Sequence, residues 1–332
     1  MGKQFLGIID DTVLFDDLGA LTGFRTAGAI PFLGHYRLID FPLSQFYHAY
    51  VKNVAIFSGG KYRSLQEHIG EVWNLNRKKD GLFLFPKLSD ESRVLSFYHI
   101  RDHILYLLKS NEEFVVITNS YIVGLIDYQS LIFKHVKNNA DISVVYNKEE
   151  SLNIYILKRK LLIELCSEAV MLNCENICEF IKKTDKYDIG KVNWDKEVFL
   201  IRSVYEYYYA HMKLLNQDTF NRLFVRSKPI ITKGHDAPAT YYKSGAETIN
   251  SLFANGIISE GTAENSIVFK SVVIGKEAYI KNSIINEKCI IGAYSRLEGV
   301  ILDKGCIVAP KTVLYGKKNE PLLITKNSKI SL

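Results

Sequence analysis

Long apolar runs are missing from this 332-residue sequence. Charges interrupt every stretch well short of the roughly 18 apolar residues needed to cross a bilayer, so no membrane span is expected. Cysteine is scarce and odd in number, with Cys166, Cys174, Cys178, Cys289 and Cys306 showing no zinc-type spacing, and a reduced, cytoplasmic chain is expected. The opening MGKQFLGIIDDTVLF lacks a cleavage pattern and reads as a first core strand. Net charge is +6, yet the sequence has neither a basic helix nor an aromatic–basic platform, which argues against nucleic acid. The one dense basic cluster, Arg77-Lys78-Lys79, reads as a solvated loop or as a loop facing phosphate.

What is present is an alternation of β-rich and helical stretches up to about residue 215. Strands are expected at Gln4 to Ile9, Asn53 to Ser58, Phe114 to Thr118, Ile142 to Tyr146 and Asn153 to Leu157. Helices are expected at Phe41 to Tyr50, Tyr98 to Leu108, Tyr128 to Asn138, Arg159 to Val170 and Val204 to Leu215. This order implies βαβ units and a Rossmann-like, mostly parallel sheet covered on both faces. The division expected is an α/β domain over 1–225, a turn-rich linker within 216–250, and a second domain over 251–332.

The last eighty residues carry a repeat. Aliphatics stand at Val268, Ile274, Ile280, Ile285, Ile291, Leu297, Leu302, Val308 and Leu314, with gaps of 6, 6 and 5 that recur every 17 residues. Four positions after each aliphatic except the last comes Val272, Ala278, Ile284, Cys289, Ser295, Ile301, Cys306 or Thr312. Hexads of this kind wind a parallel β-helix, one aliphatic per short face pointing inward and a small residue near the corner. Leu252 and Ile258 suggest an earlier, less regular coil.

Several long stretches resemble bacterial ADP-glucose pyrophosphorylase (glucose-1-phosphate adenylyltransferase). They are LTGFRTAGAIPFLGHYRLIDFPLSQF (21–46), YRSLQEHIG (62–70), WNLNRKKDGLFLFP (73–86), HVKNNADISVVY (135–146), YYYAHMKLL (207–215), ENSIVFKSVVIG (264–275) and GVILDK (299–304). The WNLNRKKDGLFLFP stretch is similar to the regulatory, non-catalytic branch of that family. The resemblance implies a left-handed β-helix, a role in glycogen synthesis, and association with a catalytic subunit in a mixed tetramer.

It also implies where substrate chemistry would sit. Joining a sugar phosphate to a triphosphate relies on metal and cationic stabilisation with careful positioning. The family's glycine-rich loop falls on Asp10 to Gly19, where Asp10, Asp11, Asp16 and Asp17 would repel phosphate. The family's lysine aligns with Ala27, its adenine-reading glutamine with Gly59, and its metal-binding aspartates with Tyr121 and Leu200. The loop that admits substrate becomes bulky at Phe97 to Ile104, and a sugar-binding segment is missing after Tyr146. The chain is therefore expected to have no catalytic residues, metal or cofactor of its own, Mg²⁺ belonging to the catalytic partner. Other readings are a weakly active adenylyltransferase with displaced residues and a scaffold without ligand. A hexapeptide acyltransferase is disfavoured, since no histidine follows His235.

Arg25, His35, Arg37, Lys61 and Arg63 form a candidate site for a phosphorylated effector, because arginine can grip phosphate bidentately. The same arginines could instead brace their loop by pairing with Asp40 and Asp102. Tyr207, Tyr208 and Tyr209 are expected to pack a helix, His48, His99 and His103 to have core or surface roles, and Asp127 to cap a helix.

Overall fold

The computed structural model describes residues 3–73, 81–87, 94–234, 237–317 and 319–331. Arg77, Lys78 and Lys79 lie outside the described residues. Seven strands form the main sheet: β1 (Phe5–Asp11), β2 (Asn53–Ser58), β3 (Gly81–Pro86), β4 (Phe114–Asn119), β5 (Ile142–Asn147), β6 (Glu150–Lys158) and β7 (Ile189–Asn193). Their order is β7-β5-β6-β4-β1-β2-β3. All neighbours run parallel except β6, which is antiparallel to β4 and β5. That exception has a local cause: β5 and β6 are joined by a tight hairpin in which Lys148 takes a positive φ of 54°.

Buried strands of this type read as continuous apolar runs because both faces are covered. One face packs Ile9, Ile56 and Val116 against the helices α1 (Asp40–His48) and α5 (Tyr128–Asn138). The other packs Leu6, Ile8, Ala55 and Val115 beneath α3 (Phe97–Asp102), α4 (Ile104–Leu108), α6 (Arg159–Leu172) and α7 (Ile177–Lys183). The helix expected over Tyr98 to Leu108 is broken in two at His103. That residue leaves helical geometry at φ −115°, ψ 25°, and its ring stacks on Phe85 at 4.3 Å. Asp127 does cap α5, accepting from the Ser130 N–H at 3.2 Å. Strands β3 and β7 and the helix α2 (Arg63–Val72) extend the pattern beyond the elements expected.

The repeat region is a coil of short parallel strands stacked into three sheets of six, five and five strands. Coil strands run from Tyr241–Tyr242 to Lys329–Ile330. The 17-residue period sets the register: Ile280 lies against Leu297 and Leu297 against Leu314, while Ile285 lies against Leu302 and Ile291 against Val308. Val268, Ile274, Ile280, Ile285, Ile291, Leu297, Leu302 and Val308 are buried in the coil core, with Leu314 packed at its margin.

Two details differ from expectation. Ile284 and Ile301 do not fill corners. They stand beside inward Ile285 and Leu302, and strand alternation turns them outward, where they join Ile267 in the core of the α/β domain. Ser266 and Ser283 take the tight corners instead, the Ser266 hydroxyl accepting from the Ser283 N–H at 3.1 Å. The coil from Glu247 advances by 15 residues instead of 17 and pairs Phe253 with Val268 and Ser259 with Ile274. Its inward residues are therefore Phe253 and Ser259, and Ile258 is exposed, one place out of the expected register.

The outward ladder Ile267, Ile284 and Ile301 makes one coil face part of the α/β core. Helix α8 (Val204–Lys213) lies at this seam: Tyr207 is buried with its hydroxyl donating to Pro31 O, and Tyr208 donates to Asn282 O at 2.7 Å. Tyr209 instead is exposed and stacks on Tyr205, so only two of the three tyrosines pack the helix.

Candidate functional site

In an open α/β sheet, ligands bind beyond the carboxyl ends of the strands. Here those ends bring together Asp10 and Asp11 of β1, Ser58 of β2, Asn119 of β4 and Ser120 just beyond it. Register places Asp10 beside Asn119 and Asp11 beside Ser58. Strand β1 runs two residues past its expected end, which carries both aspartates inward, while Asp16 and Asp17 stay on the surface.

The Asp11 carboxylate is buried and fully engaged. Its Oδ1 accepts from the Gly28 backbone N–H at 2.7 Å and the Ser120 hydroxyl at 2.6 Å; its Oδ2 accepts from the Ser58 hydroxyl at 2.9 Å. Burial nonetheless pushes its pKa above the usual carboxylate range. Gly28 is required by this approach, because a Cβ there would lie 2.8 Å from Asp11 Oδ1. Ala27 is buried beside it in the short helical turn Ala27–Ala29. Gly59 donates its N–H to Asp11 O at 3.2 Å. The acids at this loop therefore do not simply repel an anion: one of them occupies the donors that an anion would use.

Asp10 accepts from the Thr12 N–H and hydroxyl at 2.8 and 2.7 Å, and burial raises its pKa to about 6. Beside it lies a mainly apolar cavity of about 240 Å³, walled by Phe15, Phe97, Tyr121 and Tyr155. Tyr121 is buried edge-on against Phe15 at 4.9 Å, and its hydroxyl accepts from Asn153 Nδ2 at 3.0 Å. Asn119 donates to Leu152 O, leaving its Oδ1 buried without a hydrogen bond. Leu200 is buried in a short strand (Val198–Leu200) paired antiparallel with Ile122–Gly124.

These residues do not fit a magnesium ion, which takes charged and polar oxygen ligands in near-octahedral geometry. Tyr121 and Leu200 are uncharged, and both Asp11 oxygens face hydrogen-bond donors. Among the described residues no cluster of three His, Cys, Asp or Glu could hold a metal. His99 is a core residue, its pKa lowered to about 4 chiefly by burial.

The basic candidates do not form one open cluster. Arg25 is buried and pairs with Asp303 of the coil, Nη2 to the two carboxylate oxygens at 3.0 and 2.8 Å. The expected partners Asp40 and Asp102 do not hold it, because the coil supplies a carboxylate that linear sequence places 278 residues away. Arg37 donates from its guanidinium to Ala29 O and the Ser64 hydroxyl, while only its backbone N–H reaches Asp40. Asp40 also binds His68 and the Thr232 hydroxyl. His35 is exposed and its ring lies on Tyr36 at 3.9 Å. Lys61 reaches Thr22 O at 3.5 Å, and Arg63 is exposed at the start of α2.

Sequence reasoning missed the coil's share of this region. Lys270 and Lys304 flank Glu287 at 3.4 and 3.0 Å. Burial pushes Glu287 up, but the two lysines and Arg37 more than offset it and hold its pKa below the usual value. The 17-residue step from Lys270 to Glu287 to Lys304 stacks them on successive coils and was available as a signal.

A mainly parallel α/β sheet with a hexapeptide coil packed on it defines a nucleotidyltransferase-like protein of the ADP-glucose pyrophosphorylase type. Comparison with known proteins agrees with this class. The family described as GlmU-like, C-terminal hexapeptide matches residues 238–320. The "Glycogen biosynthesis protein GlgD" of Geobacillus stearothermophilus is 41% identical, over 99% of this chain and 98% of that protein. The protein of the same name from Bacillus subtilis (strain 168) is 38% identical over 84% and 83%. A "Glucose-1-phosphate adenylyltransferase" of Clostridium botulinum (strain Alaska E43 / Type E3) is 26% identical over 80% of each chain. The chain belongs to the GlgD family of glycogen biosynthesis proteins. No helix among the described residues is long and apolar enough to cross a membrane.

Proposed function

We propose that this chain is a regulatory, non-catalytic subunit that works in the cytoplasm on a catalytic glucose-1-phosphate adenylyltransferase subunit, within a mixed tetramer. The observation that carries this reading is the Asp11 carboxylate, which takes the Gly28, Ser58 and Ser120 donors at the strand ends. A phosphate entering there meets a buried acid instead of free N–H groups, and the neutral Ala27, Tyr121 and Leu200 offer neither cation nor metal ligand. Mg²⁺ and the chemistry then belong to the partner. The α/β unit, 1–225, and the coil, 251–332, persist because they form surfaces for association. A subunit of this kind acts by binding the partner's active form more tightly than its inactive form.

A phosphorylated effector is the second part of the reading. His35, Arg37, Lys61 and Arg63 lie on the α/β side and Lys270 and Lys304 on the coil side. Arg25 takes part through its pair with Asp303, as a brace more than as a free ligand.

The test is Mg²⁺-dependent ADP-glucose synthesis by this chain, by the catalytic subunit, and by the two co-purified. The expected result is silence from this chain alone and a changed kcat or substrate affinity in the mixture. Turnover by the isolated chain would identify a displaced active site. Identical kinetics with and without this chain would leave it a scaffold.

A further inference from the structure

A second concavity lies away from the strand ends, where α8 passes the corner of the coil. Its volume is about 850 Å³, within the range of about 300–1,000 Å³ typical of small-molecule sites. The composition of its walls is specific. Tyr205 and Tyr209, one helical turn apart, form an offset aromatic strip with ring centroids 6.0 Å apart. Tyr315, from a later coil, lines the same groove and is 66% exposed. Between them the coil corners present side-chain amides. Asn250, Asn265 and Asn282 stack on successive coils, and Asn250 donates to Asn265 Oδ1 at 2.7 Å. The positive φ of 47° at Asn265 and 46° at Asn282 holds these corners in the left-handed region that asparagine tolerates.

We propose that this groove binds a neutral oligosaccharide of the α-glucan type. Charge argues for a neutral ligand, since among the described residues the groove's charged lining is Lys213 and Glu298, one of each sign. Tyrosine provides an apolar face with a polar edge, which suits a pyranose ring whose C–H face stacks while its hydroxyls point sideways. Amides donate and accept at once, matching sugar hydroxyls that do the same. The choice of α-glucan over another neutral sugar rests on the chain's membership of a glycogen biosynthesis family.

The experiment uses the full chain, run on native gels containing glycogen and titrated with maltoheptaose, with cellotetraose as a second sugar. Retardation by glycogen and saturable maltoheptaose binding are expected, with little response to cellotetraose. Tyr205→Ala and Tyr315→Ala each remove an exposed ring and leave the core intact. Each is expected to weaken binding about tenfold, the value of one good aromatic contact. Absence of retardation, or retardation that both variants retain in full, overturns the proposal. So does loss of co-purification with the catalytic subunit in Tyr205→Ala, since the groove would then be a subunit contact. Sugar binding or its absence leaves the regulatory reading untouched, since that reading is decided by turnover of the co-purified subunits.

Discussion

Asp10 and Asp11 follow each other in sequence and meet different fates. Asp11 turns to three donors from three distant segments, whereas among the described residues Asp10 is held at close range by Thr12, with the Leu95 N–H at 3.4 Å. Its pKa of about 6 has a consequence for stability. Between the unfolded carboxyl value near 4 and about 6, the folded chain holds a proton that the unfolded chain has released. This contribution is therefore fully present below about pH 4 and is lost as pH rises through about 6. Asp10→Asn keeps the acceptor for Thr12 and removes the charge. It is expected to melt higher than the parent at pH 8, with the difference closing towards pH 4, as read by thermal unfolding followed by circular dichroism. That Ala27 and Tyr121 carry no charge was legible in the sequence, because the identity of a single residue needs no fold to be read. The engagement of Asp11 was not, since its donors lie at positions 28, 58 and 120 and only folding brings them together.

At the scale of elements, the coil shows how far periodicity can be trusted. A step of six fixes which residue points inward, and every inward aliphatic from Val268 to Val308 is buried as its spacing requires. The step of five is where the reading slipped. It brings two apolar residues side by side at Ile284-Ile285 and Ile301-Leu302, and hydrophobicity alone does not say which of two neighbours faces the coil. Strand alternation does, and it sends Ile284 and Ile301 into the other domain. The stacking also leaves no slack between coils. A Cβ at Gly292 would lie 2.3 Å from Pro310 N, a backbone atom that a rotamer change cannot move. Gly292→Ala is expected to destabilise the chain by about 1–3 kcal/mol, in the range of overpacked interiors. Urea unfolding of the variant beside its parent measures this directly.

For the whole molecule, the decisive contact is the pair between Arg25 and Asp303. Their side chains are 6% and 1% exposed, so neither charge reaches solvent. A buried pair gives little net stability relative to apolar replacements, but removing one partner strands a charge and costs about 3–5 kcal/mol. Asp303→Leu is expected to show that loss in urea unfolding, and Arg25→Met with Asp303→Leu to recover most of it. A double variant as unstable as the single one would mean that Asp303 acts through its own bond to the Lys304 N–H and not through Arg25. The two-domain organisation could be anticipated from the alternation and the repeat. Their fusion through Ile267, Ile284, Ile301, Tyr208 and Arg25 could not, because each contact joins segments that no local pattern connects.

The placement of Asp11 also sets how the strand-end loop responds to its surroundings. A free phosphate at such a position leaves and returns as its concentration changes, and the loop samples filled and empty states in proportion. A carboxylate attached to the chain does not diffuse away, and its effective concentration at the donors is set by the fold. Any incoming anion must displace it before reaching Gly28, Ser58 or Ser120. The strand-end loop consequently keeps one geometry whether small anions around it are abundant or scarce.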